Sequence, residues 1–238
     1  MSAVRQTAVG LSLAGLIVGG WLALHVWGVF FHRFTPLGIA VAPLMIALQS
    51  WLGAGLFIVA HDAMHGSLAP GRPRVNAAVG QACLGLYAGF PYRSLRTAHH
   101  EHHRAPGSPG DPDFHADRPR AFWPWFVAFF RRYFGWREFA VLAAALAVYL
   151  LVLAVSPLNA AIFWGVPAIL SALQLFAFGT WLPHRHQDAP FADRHNARSL
   201  GYPWLGSLVS CFHFGGFHRE HHLSPATPWW RLPEVRVA

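Results

Sequence analysis

The sequence predicts an all-α integral membrane protein: four transmembrane helices in two hairpins, carrying a cytoplasmic cap of histidine-rich helices. Three observations predict it. Hydrophobic residues make up 54% of the 238-residue chain and charged residues only 12%. That is about half the charged share of a soluble domain, so the apolar surface calls for lipid. Four stretches approach the ~20 apolar residues that cross a bilayer. Finally, most of the 16 histidines gather into groups at or beyond the ends of those stretches. The same composition excludes a disordered chain, which needs low hydrophobicity and many charges. It also excludes a disulfide scaffold, because Cys83 and Cys211 are the only cysteines and lie far apart.

Residues 7–30 form the first expected span, with no formal charge. Their apolar stretch is too long for a signal-peptide core, and no small-x-small cleavage site followed by polar sequence is present, so a retained helix is expected. A tight turn from His32 to Thr35 leads to the second span, residues 36–60, where Pro36 takes the favoured first-turn position. Residues 75–90 are apolar but too few to span, and are expected as a re-entrant or buried segment. Residues 121–134 are aromatic and run into Arg131-Arg132-Tyr133, the pattern of a helix lying at the membrane interface. The third span is residues 139–155, at the short limit. A tight turn from Ser156 to Leu158 leads to the fourth, residues 159–182. Residues 1–238 read as one membrane-embedded domain.

All 18 basic residues are arginine. Arg5 precedes the first span, ten lie between residues 61 and 138, six follow residue 182, and Arg33 alone sits in a short turn between spans. Basic residues concentrate on the cytoplasmic side, so both termini and the middle segment are expected there. The net charge of +8 then follows from topology, and no nucleic-acid partner is expected.

His61 and His65 close the second span at i, i+4. His99, His102 and His103 form H-x-x-H-H, and His218, His221 and His222 repeat that spacing. On a helix these positions share a face. Imidazole is a ligand for iron, zinc, copper or nickel. Eight such ligands exceed the four of one tetrahedral zinc and suit two ions with four or five nitrogens each. His100 lies about 100° round the helix from His99 and is expected away from the metals. His213 can face the site or the membrane, His115 is a further candidate neighbour of the ligands, and His25, alone in the first span, is expected to bond a neighbouring helix. His32, His186 and His195 read as interface or loop residues. Asp62, Glu101, Asp111, Asp113, Asp117 and Glu220 are six of only ten acids and all lie in or beside the clusters. Ligating histidines give their second N–H to such groups, and Asp62, Asp111, Asp113 and Asp117, with His100 and His213, are the expected supporting residues. For Asp111 and Asp113, flanking Pro112, turn capping is an equal reading.

The order HxxxH, HxxHH, HxxHH around two helical hairpins resembles the membrane fatty acid desaturase and hydroxylase superfamily. The runs HDAMHG from His61, HHEHHRAPGSPGDPDFH from His99 to His115, FGTWLPHR from Phe178 and FHFGGFHREHH from Phe212 to His222 are similar to the bacterial carotenoid ketolases. The resemblance runs from about residue 50 to residue 224. It implies a desaturase-like fold and two ferrous ions using O2. No GxGxxG fingerprint for a nucleotide is present, so electrons are expected from a separate protein, which the resemblance implies is reduced ferredoxin with its reductase. The implied reaction is conversion of C4 of β-ionone rings to a ketone (β-carotene to echinenone to canthaxanthin), on a carotenoid lying in the bilayer of a bacterial inner membrane. The resemblance makes His184, which ends the fourth span, a ninth ligand, and puts Thr180 where some desaturases carry an asparagine that acts through water. A carotenoid hydroxylase or fatty-acyl desaturase of the same superfamily is the alternative. Phe212 to Phe217 is expected to line the substrate channel. Two readings outside the superfamily are weaker. An intramembrane metalloprotease would need Glu rather than Asp62 in its HExxH motif, and a haem or metal carrier would place its histidines within the spans.

Overall fold

The computed structural model describes residues 1–236, and among them the chain is helical with no strand. Ser2 caps the first helix, α1 (Ala3–Phe31), by accepting the Arg5 N–H. Thr35 caps α2 (Pro36–His65) by accepting the Gly38 N–H, with Pro36 in the first turn. α2 continues past the apolar run 36–60, in keeping with the i, i+4 spacing of the two histidines that close it. It carries on through His61 and His65 and ends only at Gly66, whose φ of 72° is the left-handed conformation that glycine adopts freely. The two histidines are therefore one helical turn apart on a rigid element.

Next come α3 (Pro73–Ala88) and α4 (Tyr92–Arg104). α3 is the apolar segment too short to span, and it packs along α2. α5 (Phe122–Tyr133) meets α6 (Trp136–Val152) at a bend of 79°. α7 (Pro157–His184) runs past residue 182 to include His184. Two short helices follow, α8 (Trp204–Cys211) and α9 (His218–Leu223), and then a 3₁₀ segment, Trp229–Val235.

By length and composition α1, α2 and α7 can each cross a bilayer. The expected third span, 139–155, is corrected to α6 at Trp136–Val152, which is too short alone. A fourth crossing exists only if α5 and α6 count together across their bend.

α2 is the central helix. Its Ala54, Leu56 and Ala60 are fully buried among α1, α3 and α7. Gly55 is where the tail crosses it: an added Cβ would lie 2.6 Å from the Phe212 ring. That ring instead stacks on Trp51 at 4.4 Å. The Gln6 amide donates to the Ser67 carbonyl at 2.7 Å, tying the start of α1 to the turn after His65. At the opposite end, the Asn159 amide donates to the His32 carbonyl at 3.0 Å, joining the two inter-helix turns. His25 meets Tyr149 of α6 at 3.1 Å, a bond to a neighbouring helix.

Candidate metal centre

Four helices bring nine histidines to one end of the bundle: α2 (His61, His65), α4 (His99, His102, His103), α7 (His184) and α9 (His218, His221, His222). They form two groups. His61, His65, His99, His103 and His221 make the first, and His102, His184, His218 and His222 the second. Helix periodicity explains the split. His99 and His103 are nearly in line, whereas His102 is about 100° from His103, so α4 feeds both groups. α9 does the same, sending His221 to one group and His218 with His222 to the other.

Within each group the Nε2 atoms converge. His65 and His99 are 2.7 Å apart, His99 and His103 3.1 Å, and His103 and His221 3.0 Å. In the second group His184 and His218 are 2.9 Å apart, His218 and His222 3.1 Å, and His222 and His102 3.3 Å. One shared proton can reconcile a pair of ring nitrogens. It cannot reconcile five, or four, all within 4.8 Å of one another. Two nitrogens at right angles on one cation, each about 2.1 Å away, lie about 3 Å apart, so the spacing fits a metal ion in each group. Burial holds His218, His221 and His222 below the ordinary imidazole range, and the surrounding imidazoles push the same way. They are neutral at pH 7, the form that binds metal.

The acids divide differently from the expectation. Asp111 both caps a turn and supports a ligand. It accepts the Gly107 N–H at 2.7 Å and the Asp113 N–H at 2.8 Å, which aims its carboxylate at His102 Nδ1, 2.9 Å away. Burial opposes charge on His102, but the bond to Asp111, its charge and that of Asp113 outweigh this and set His102 above its ordinary value. Asp113 lies 3.9 Å from His102 Nδ1 and accepts a short hydrogen bond from the Tyr133 hydroxyl.

Asp62 is corrected. Its carboxylate is 3.8 Å from His61 Nδ1, too far for a hydrogen bond, and instead accepts the Trp229 N–H at 3.1 Å, anchoring the tail. Asp117 is also corrected: it is exposed, because the turn that points Asp111 inward carries it outward. His213 is buried against Trp204 and Trp229, with Ser207 Oγ 3.2 Å from Nδ1, and touches no histidine of either group. His100 turns away to the Met64 carbonyl at 3.1 Å. His115 caps a turn by accepting the Arg118 N–H. His195, expected in a loop, has its ring 6.1 Å from that of His222.

One support carries no sequence signal, and one acid singled out in the sequence is placed beside the tail cluster. The Asn196 carbonyl accepts the His184 Nδ1–H at 2.8 Å, and a backbone group is invisible in side-chain spacing. Glu220 accepts a short bond from Ser199, 21 residues away.

A cavity of about 530 Å³ opens below the histidines and is bordered at that end by His61, His99, His102 and His218. The expected lining, Phe212 to Phe217, is corrected: only Phe214 reaches it, because Phe212 is stacked on Trp51. The aromatic wall is α5, through Phe126, Phe129, Phe130 and Tyr133. The sequence predicts this segment as an aromatic helix at the membrane interface, and the structure turns four of its rings toward the cavity. Phe126 and Phe129 pack on Phe176 of α7 at 5.3 and 5.4 Å. Thr180 is buried and lines the cavity beside the second group.

The fatty acid desaturase family model matches residues 34–140 and 131–238. The chain is 49% identical to a β-carotene ketolase from Paracoccus sp. (strain N81106 / MBIC 01143), covering 97% of this chain and 93% of that one. It is 36% identical to a β-carotene ketolase from Haematococcus lacustris, over 96% of this chain and 79% of that one. A zeaxanthin 4-ketolase from Chlamydomonas reinhardtii is 36% identical over 98% of this chain, which spans 54% of that relative's length.

Proposed function

Because the chain belongs to the fatty acid desaturase family, we propose that it is a carotenoid 4-ketolase, converting β-carotene through echinenone to canthaxanthin. The observation that carries this is the pairing of two converging histidine groups with an apolar cavity ending on them. A runner-up, hydroxylation at the neighbouring C3, differs from it by one ring carbon in placement.

Two ferrous ions, one in each group, supply oxygen activation when bound, with electrons from reduced ferredoxin and its reductase. Each round consumes one O2, two electrons and two protons. It turns a C4–H into C4–OH and releases the second oxygen as water. A second round on the same carbon leaves a gem-diol, which loses water to give the ketone. The protein's own residues place and protect. Asp111 fixes the ring of His102 and the Asn196 carbonyl fixes that of His184, so both present Nε2 inward. His61, His99, Phe214 and Thr180 bound the space for the ring, and the α5 aromatics exclude water from it.

Expression in β-carotene-producing bacteria, followed by pigment chromatography, tests this reading. The expected product is canthaxanthin. Limiting oxygen or ferredoxin should raise 4-hydroxy and singly ketolated intermediates, because release competes between rounds. The trapped 4-hydroxyl should carry label from 18O2. A 3-hydroxylated product would make the chain a hydroxylase, and a new chain double bond a desaturase.

The proposed topology is four crossings in two hairpins in the inner membrane, with both termini and the histidine cap cytoplasmic. The asymmetry of the arginines supports it. Reporter fusions after Pro36 should give a periplasmic signal, and fusions after His103 and Arg194 cytoplasmic ones. A periplasmic signal after His103 would put the histidine clusters on opposite sides and overturn the arrangement.

A further inference from the structure

The cavity lacks one wall. Along α7 it is bordered by Trp164, Ala168, Ala172, Leu175 and Gly179, at steps of three and four that hold one helix face, and then by Thr180. Sixteen steps of 1.5 Å from Trp164 to Thr180 make that groove about 24 Å long. It ends on the histidines, and with the space beyond Thr180 it approaches the length of a C40 polyene, comparable to the ~30 Å hydrocarbon core. α2 and α3 back the groove through Phe57 and Tyr87. On the remaining side α6 contributes only Leu142. α6 leaves α5 at the 79° bend and returns to α7 where Tyr149 meets Trp164 at 5.2 Å. Between these two points the rim is apolar and open: Ile169 is 62% exposed and Phe130 42%.

We infer that this gap between α6 and α7 is the substrate's entrance, through which a rod-like polyene passes sideways from the bilayer into the groove along α7, with its far ring coming to rest at Trp164. The inference rests on the carotenoid reading above. The physical reason is where each end leads. A long hydrocarbon resides in lipid, since exposing its apolar surface to water is unfavourable. The axial route would take it through the cytoplasmic cap, past the two histidine groups and the buried carboxylate of Asp111. The lateral route keeps it in apolar surroundings throughout, and only one ring then approaches the metals.

The test uses the full iron-loaded chain in phosphatidylcholine vesicles, with β-carotene delivered from donor vesicles. Binding is followed by the circular dichroism that a chiral groove induces in the polyene band. Ile169→Trp, on the rim, should reach the bound state about tenfold more slowly than the parent, with the same final signal and the same iron per chain. Leu170→Trp, also facing outward but off the groove, should load at the parent rate. Equal loading by the two variants overturns the entrance. Ala172→Trp, which fills the groove floor, should abolish the final signal, and an unchanged signal there would take the substrate out of the groove. If the parent itself gives neither signal nor ketone, the carotenoid reading fails and the entrance with it.

Discussion

Alanine at His222 is expected to abolish ketone formation, by more than about 100-fold, while the protein still accumulates in membranes. The His222 ring contacts those of His102, His184 and His218, the three other members of the second group. Its Nε2 lies 3.1 Å from that of His218 and 3.3 Å from that of His102. Removing it leaves three nitrogens, and iron per chain should fall from two to about one. The first group keeps its five histidines, so the loss should be of one ion rather than both. The same outcome is expected for His102, His184 and His218, and a first-group counterpart for His61, His65, His99, His103 and His221. His186→Ala is the control. That ring bonds the Gly107 carbonyl at 3.2 Å and belongs to neither group, so activity and iron should stay near the parent level. Unchanged iron in His222→Ala, or equal loss in His186→Ala, would dissolve the two-group assignment.

Asn in place of Asp111 is expected to weaken iron binding at the second group by about 10- to 100-fold, with a matching fall in ketone formation. The substitution keeps volume and one acceptor oxygen. It removes the charge facing His102 and leaves the Gly107, Asp113 and His102 donors competing for fewer lone pairs. Dialysis against graded chelator with iron counted per chain reads the effect directly. Asp117→Asn, exposed on the following turn, should leave the iron curve unmoved. If the two variants behave alike, Asp111 acts only as a turn cap and the support of His102 is not its role.

The two variants also show where a sequence reading stops. Asp111, Asp113 and Asp117 stand at spacings of two and four in a proline-rich loop, and nothing in that spacing separates them. The separation comes from the loop's path, in which the Gly107 and Asp113 amides clamp one carboxylate inward. Asp62 adjoins His61 in the chain yet serves the tail, because α2 turns adjacent residues about 100° apart. The channel wall has a similar origin: the aromatic run from Phe212 has the composition of a lining, but Gly55 opens a seat for Phe212 against α2, and the wall falls to α5.

What the sequence by itself determined is what depends on local periodicity and on solvent. Composition demanded lipid, uninterrupted apolar runs located α1, α2 and α7, and i, i+3, i+4 spacing put each histidine set on one helix face. These follow from bonds and hydration within a single element, so no partner element is needed to read them. Only the tertiary structure decided which histidines from different helices share a group, that α6 is short and bent away from α5, and that the cavity lies open between α6 and α7. Those outcomes depend on how helices distant in sequence pack and cross. Helix periodicity aims a side chain, but the meeting point of two aims is set by the angle and distance between their axes.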